Sequence, residues 1–306
     1  MSRINKLVLG GFFLFALLGS FFLIAFLPAM ITNSLISGPV EFARTYSPHD
    51  FGLEPKELRL KTEDGLELAA WEVRAVQPKA VLVFLGPMLE PSVTAFWGHA
   101  AFLKEKGYAS ILLEMRAHGQ SQGEQISLGY REHLDVLAAW NYLQQKAAYQ
   151  KLPVILFGVG MGGAAALNAA GLYPQLAGVI SIAAYSSWGD LFSDNLYFSD
   201  ASLFLALAVK PFAKLYTWFK FGWAGRGIIP QRQIANLGSR PVLLMHSRED
   251  GEIPFVNLER LMESAPPQAE AWARPGSEHW VSTNFLEPEE DREYTAKILQ
   301  FLENNF

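Results

Sequence analysis

Val154-Ile155-Leu156-Phe157-Gly158-Val159-Gly160-Met161-Gly162-Gly163-Ala164-Ala165-Ala166 is the stretch that decides how the chain folds. An apolar run of strand composition passes through a glycine-rich turn straight into alanine-rich sequence with helical periodicity. Such a strand-turn-helix unit belongs to an open parallel sheet, whose ligand crevice lies at the carboxyl ends of the strands. On the residues alone the turn has two readings. Gly158-x-Gly160-x-x-Gly163 matches a dinucleotide fingerprint, in which the glycines let the backbone approach a pyrophosphate at a helix N-terminus. That fingerprint also asks for an acidic residue at the end of the next strand, where this sequence reads Ile182-Ala183-Ala184-Tyr185. The other reading is a sharp elbow, G-x-S-x-G in form, that exposes its central residue at the sheet edge. Gly160 holds that central position.

Outward from the elbow, short apolar runs alternate with helical patterns. Residues 58–61 and 66–74 flank Asp64-Gly65, a hairpin signal. Residues 80–85, 109–114, 153–157, 177–183 and 241–246 are compact enough to be strands buried on both faces. Residues 93–106, 128–146 and 162–172 carry helical periodicity. The pattern predicts an α/β domain over 56–306, with a mostly parallel sheet and helices on both faces. Alternation stops at residues 186–237, where 201–223 reads as apolar helical material broken at Pro211. An insertion at that point, above the carboxyl edge of the sheet, is expected to be a helical lid.

The composition narrows the chemistry. The 306 residues are 50% hydrophobic and 18% charged and include no cysteine, against about 25% charged for an ordinary soluble domain. Without cysteine there are no disulfides, thiolate metal sites or thiol nucleophiles. A net charge of -5 and an isoelectric point near 5.7 argue against a nucleic-acid partner, which requires a basic face. The mean hydropathy of +0.13 owes most to the N-terminus. No Asp, Glu, Lys or Arg occurs from residue 7 to residue 40, and six phenylalanines between Phe12 and Phe26 fall on every face of a helix. Residues 1–31 are expected to be a cytoplasmic tip and a transmembrane anchor through 7–31, with 32–55 a linker rich in turn formers. Arg3 and Lys6 precede the apolar run, so the N-terminus is expected in the cytoplasm and the domain on the outer side of the membrane. A cleaved signal peptide is the rival reading, and 27–30 lacks a small-x-small cleavage pattern.

Three further segments carry a resemblance. Glu114-Met115-Arg116-Ala117-His118-Gly119-Gln120-Ser121-Gln122-Gly123 is similar to D-x-R-G-H-G-x-S-x-G. His246-Ser247-Arg248-Glu249-Asp250-Gly251-Glu252-Ile253-Pro254 is similar to H-G-x-x-D-x-x-V-P, and Pro275-Gly276-Ser277-Glu278-His279-Trp280 follows in the place of a histidine loop. With the Met161-Gly162-Gly163 of the elbow, these make the chain resemble the α/β-hydrolase family, in particular its single-domain serine hydrolases and acylhydrolase-like members. The resemblance implies an α/β-hydrolase fold, a nucleophile position at Gly160, an acid at Asp250 and a base at His279. His118 and Ser121 read better as loop stabilisers than as catalysts.

Glycine supplies no nucleophile to such a triad. The resemblance also implies oxyanion-hole positions at Met161 and at the loop Leu85-Gly86-Pro87, and proline has no N–H to donate. A one-residue shift would recruit Met88. Three readings follow: a membrane-anchored relative of serine hydrolases that binds an apolar or acyl ligand without ester hydrolysis; an active hydrolase in which His279 and Asp250 activate water or another group; and a lipid-surface module built on Lys210, Lys214 and Lys220 among the aromatic residues of the insertion. Ser186 and Ser187, after the sixth core strand, are the substitute hydroxyls. No cofactor or metal is called for, and no protein partner is read from the sequence.

Overall fold

The computed structural model describes residues 3–199 and 201–306. A long N-terminal helix α1 (Arg3–Ile36) precedes the hairpin β1 (Lys56–Lys61) and β2 (Glu67–Val73). Then follow β3 (Ala80–Leu85), α2 (Trp97–Glu105), β4 (Tyr108–Leu113), α3 (His133–Gln144), β5 (Val154–Val159), α4 (Met161–Leu172) and β6 (Gly178–Ile182). The insertion holds α5 (Trp188–Phe198), α6 (Leu203–Phe221) and α7 (Pro230–Gln233). The domain closes with β7 (Val242–Ser247), α8 (Val256–Ser264), β8 (Glu270–Arg274) and α9 (Arg292–Asn305). One eight-stranded sheet has the order β1-β2-β4-β3-β5-β6-β7-β8. β2 runs antiparallel to both β1 and β4, and the strands from β4 through β8 are parallel.

The apolar runs become strands with two dry faces. Along β3, Val81, Val83 and Leu85 enter one core while Ala80, Leu82 and Phe84 enter the other, the period of two that a doubly covered strand requires. Val136 of α3, Leu167 of α4 and Leu261 of α8 close the first core. Trp97 of α2 and Phe301 of α9 close the second. There, the Phe84 ring lies 4.7 Å from that of Phe96 and 5.1 Å from that of Phe157. This stacked cluster sits under the end of β5, so the elbow rests on a packed aromatic base.

Three features differ from the expectation or extend it. The helix α1 runs to Ile36, beyond the expected boundary at residue 31, because its last turns dock on the domain. Ile36 is buried in the first core, and Trp188 Nε1 donates to buried Thr32 Oγ1 at 3.0 Å. The stretch read as a linker is likewise fastened down. Val40 N–H donates to Ala117 O at 2.7 Å, Gly119 N–H to Val40 O at 2.9 Å, and Trp97 Nε1 to Tyr46 O at 3.0 Å. Third, α6 continues through Pro211. Proline forfeits one bond, to the carbonyl of Leu207, and both residues lie on the exposed side of a helix whose opposite side is held by packing.

Gly10–Ile36 is long and apolar enough to cross a membrane, with a hydropathy of 2.4.

Candidate active site

The elbow forms where β5 ends. Gly160 has φ 57° and ψ -117° and stands at the N-terminus of α4; its N–H donates to Ile182 O at 2.9 Å. Its neighbours must be glycine for want of space. A β-carbon on Gly158 would fall 2.2 Å from Gly162 O, and one on Gly162 would fall 2.3 Å from both Leu85 O and Gly86 O. At Gly160 the situation is reversed: within 4 Å a β-carbon would meet only His279 Nε2 at 3.4 Å and Pro87 Cβ at 3.9 Å. The backbone is in the left-handed region that disfavours a side chain, but the room for one exists.

That room is bounded by a histidine brought from the loop after β8. His279 Nδ1 lies 2.9 Å from Asp250 Oδ2, in the loop after β7. Facing a carboxylate, Nδ1 carries the proton, and Nε2 presents its lone pair toward Gly160. Asp250 Oδ1 accepts from the backbone N–H of Glu252 at 2.8 Å and of Ile253 at 3.0 Å. Burial works against charge on both groups, yet the pairing prevails. His279 is held above the ordinary histidine value by the bond and charge of Asp250, with Glu252 adding to it. Asp250 is held below the ordinary carboxylate value by His279 and the two N–H donors. The histidine loop is pinned by Ser247 Oγ, which donates to Glu278 O at 2.6 Å, and by Arg274, which bonds Val281 O and pairs with Asp291.

A cavity of about 230 Å³ opens over the elbow, with Gly160, Met161, Pro87, His279, Tyr185 and Leu35 in its wall. The Met161 N–H heads α4, where no intrahelical acceptor is available, while Pro87 has none to offer. Met88 also lines the cavity, and its carbonyl is bonded by His118 Nε2 at 2.9 Å. His118 Nδ1 is 2.8 Å from Arg116 O, and Ser121 Oγ donates to Glu114 O and accepts from Ala69 N–H. Both residues thus brace loops. Arg116 anchors them in turn through buried Asp135 and through Asp64. Ser186 and Ser187 are not among the cavity residues: Ser186 Oγ bonds Asn257, and Ser187 caps α5 and bonds Asp190.

Of the cavity residues that the sequence does not single out, two stand out. Tyr185 is 2% exposed, and its hydroxyl has no hydrogen-bond partner among the described residues; burial pushes its ionisation well up. Its place just beyond the carboxyl end of β6, at the edge where ligands bind, was the available signal. Leu35 comes from α1, and nothing in its local sequence indicates that the end of an apolar helix lines a cavity. Among the described residues no group of three or more His, Asp or Glu is arranged to hold a metal.

A mostly parallel, doubly covered sheet with a glycine elbow after its fifth strand defines an α/β hydrolase, and the structural neighbours are of esterase type. More particularly, the chain belongs to the serine aminopeptidase (S33) family, whose profile matches residues 76–239. That stretch includes the elbow and ends before Asp250 and His279. The Pyrococcus furiosus esterase Pf2001 superposes with a TM-score of 0.68 at 20% identity, over 88% of this chain and 98% of its own. Two curated relatives match over part of the chain. The uncharacterized protein YqkD of Bacillus subtilis is 25% identical over 65% of this chain and 63% of its own. An uncharacterized membrane protein of Saccharomyces cerevisiae is 24% identical over 57% of this chain and 60% of its own. The chain thus spans less than two thirds of the length of these curated relatives.

Proposed function

We infer that this is a membrane-anchored α/β-hydrolase-fold protein that holds an apolar or acyl ligand in the cavity over Gly160 and has lost acyl-serine chemistry. The observation that carries this reading is the pairing of a vacant position at Gly160 with a preserved His279. A serine hydrolase forms a bond between its own side-chain oxygen and the acyl carbon; residue 160 has no side chain to supply one, and the chain has no cysteine to replace it. The missing N–H of Pro87 weakens transition-state stabilisation at the same point. The cavity keeps an apolar lining from Leu35, Met88, Leu191 and Ile253, with His279 in its wall, which suits a ligand with an apolar body and a polar head. The helices of the insertion serve as its lid. The apolar helix α1 is the anchor, and the positions of Arg3 and Lys6 favour a cytoplasmic N-terminus with the domain on the outer side.

A second reading is favoured by the 2.9 Å bond between His279 and Asp250. An oriented imidazole with a free Nε2 is a general base, and water seated over Gly160 would be its substrate-side partner. One experiment separates the two. The full chain in detergent is assayed with short- and long-chain acyl esters, alongside His279→Ala and Gly160→Ser. A silent native protein and an active Gly160→Ser variant are expected. Native turnover that disappears in His279→Ala would establish the water-activating reading in its place.

A further inference from the structure

The exposed side of α6 has the wrong chemistry for water. Leu203, Leu207, Pro211, Leu215 and Phe219 are spaced four apart, so they form one stripe along the helix. All five are exposed, Phe219 to 90%. Phe204, beside the stripe, is also exposed. The helix buries its other side on the domain through Ala206, Val209, Ala213 and Thr217. A surface helix on a soluble protein carries polar residues on its outer face; this one is apolar on both.

The three lysines expected to meet anionic headgroups are turned elsewhere. Lys210 pairs with Asp190, Lys220 donates to Asn33 Oδ1 at 3.2 Å, and the stem of Lys214 lies over Gly189. The stripe between them presents no charge.

What covers the stripe is indicated by its neighbour. α6 packs along α1: the Phe212 ring meets the Phe21 ring at 5.9 Å, Ile24 packs against Val209 and Ala213, and Tyr216 Oη donates to Asn33. Phe21 and Ile24 lie inside the uncharged run expected to span the membrane and Asn33 lies just beyond it, so α6 runs along α1 across the level at which α1 leaves the bilayer. We propose that the Leu203-to-Phe219 face of α6 is immersed at the headgroup-acyl boundary of the leaflet from which α1 emerges, as a second, non-spanning membrane contact. The proposal rests on α1 being a membrane anchor. Its driving force is apolar burial, so it does not require anionic lipid.

The absence of native cysteine makes the test direct. Leu207→Cys and Phe219→Cys in the full chain, reconstituted in phosphatidylcholine vesicles, are each labelled with a polarity-sensitive fluorophore and exposed to lipids bearing a nitroxide on the upper acyl chain. Leu18→Cys reports on α1, and Glu57→Cys, exposed on β1, is the aqueous reference. We expect quenching at 207 and 219 of at least half that at 18, with none at 57 and no change when phosphatidylserine is added. Unquenched labels at 207 and 219 with a quenched label at 18 would overturn the proposal and leave the anchor standing. An unquenched label at 18 would remove the anchor and the proposal together. Quenching that appears only with phosphatidylserine, or self-quenching between labels at 219 in place of lipid quenching, would also overturn it, the latter by pointing to a second copy of the chain.

Discussion

His279 Nε2 stands 3.4 Å from the point that a β-carbon on residue 160 would occupy, and Gly160 leaves that point vacant. The distance is ordinary for a contact and suits a hydroxyl one bond further on. On the proposed reading, the base position, its acid and the strained elbow are present while the group they would act on is absent.

Restoring that group is therefore expected to restore chemistry. Gly160→Ser should make the protein react with a fluorophosphonate probe, which the native protein leaves untouched, and His279→Ala in the same background should abolish labelling. The left-handed φ of residue 160 should cost about 1–3 kcal/mol of stability, read as a lower midpoint in urea.

Pro87→Gly in the Gly160→Ser background should add a backbone donor at a position that has none. Loss of one such donor typically costs about 10²–10³ in kcat, so a gain of roughly tenfold or more in ester turnover is expected. Unchanged turnover would place the second donor elsewhere, with Met88 the first to examine.

The His279-Asp250 pair should leave a mark on the pH dependence of stability. Asp250 is held below 3.8 in the fold, so its contribution is present above 3.8 and lost as pH falls through its folded value. His279 is held above 6.5, so its contribution is full below 6.5 and lost as pH rises through its folded value. The pair therefore stabilises most between 3.8 and 6.5. Asp250→Asn should lower the melting temperature most within that window and shift the His279 NMR titration to lower pH.

Tyr185→Phe should leave the ligand-free protein as stable as the native one or raise its stability by about 1–3 kcal/mol, the cost of an unsatisfied buried hydroxyl.

Arg116 and Asp135 form a buried ion pair, 4% and 0% exposed at their side chains. Removing one partner strands the other, so Asp135→Ala should cost about 3–5 kcal/mol in urea unfolding. Because Arg116 holds the loop from which His118 reaches the Met88 carbonyl, the cavity wall at 87–89 should also show faster hydrogen exchange.

The sheet was legible because its central strands are buried on both faces, and such strands announce themselves as continuous apolar runs. β8 did not: it lies at the edge, reads Glu-Ala-Trp-Ala-Arg and buries none of its residues fully. α9 was overlooked despite a readable stripe of Tyr294, Ile298, Phe301 and Leu302, since charged residues between them mask the spacing. At the site, Gly160, Asp250 and His279 were expected from the motifs that carry the resemblance, and the structure places Gly160 beside a bonded His279-Asp250 pair. The distance between them, the docking of Leu35 and the isolation of the Tyr185 hydroxyl are products of tertiary packing, which no local pattern encodes. The unbroken course of α6 through Pro211 is of the same kind: packing on α1 and the domain overrides a local breaker.

On the proposed reading of α1 as an anchor and of the cavity as a ligand site, the burial of Thr32 and Ile36 bears on how a ligand is met. A domain tied to a membrane by a slack leash tumbles, and its pocket samples all directions. Here the anchor ends inside the body it carries, with Leu35 in the pocket wall, so height and heading are fixed together. On the reading of α1 as an anchor, encounter becomes a two-dimensional search in which ligands drift laterally past a mouth that does not turn away.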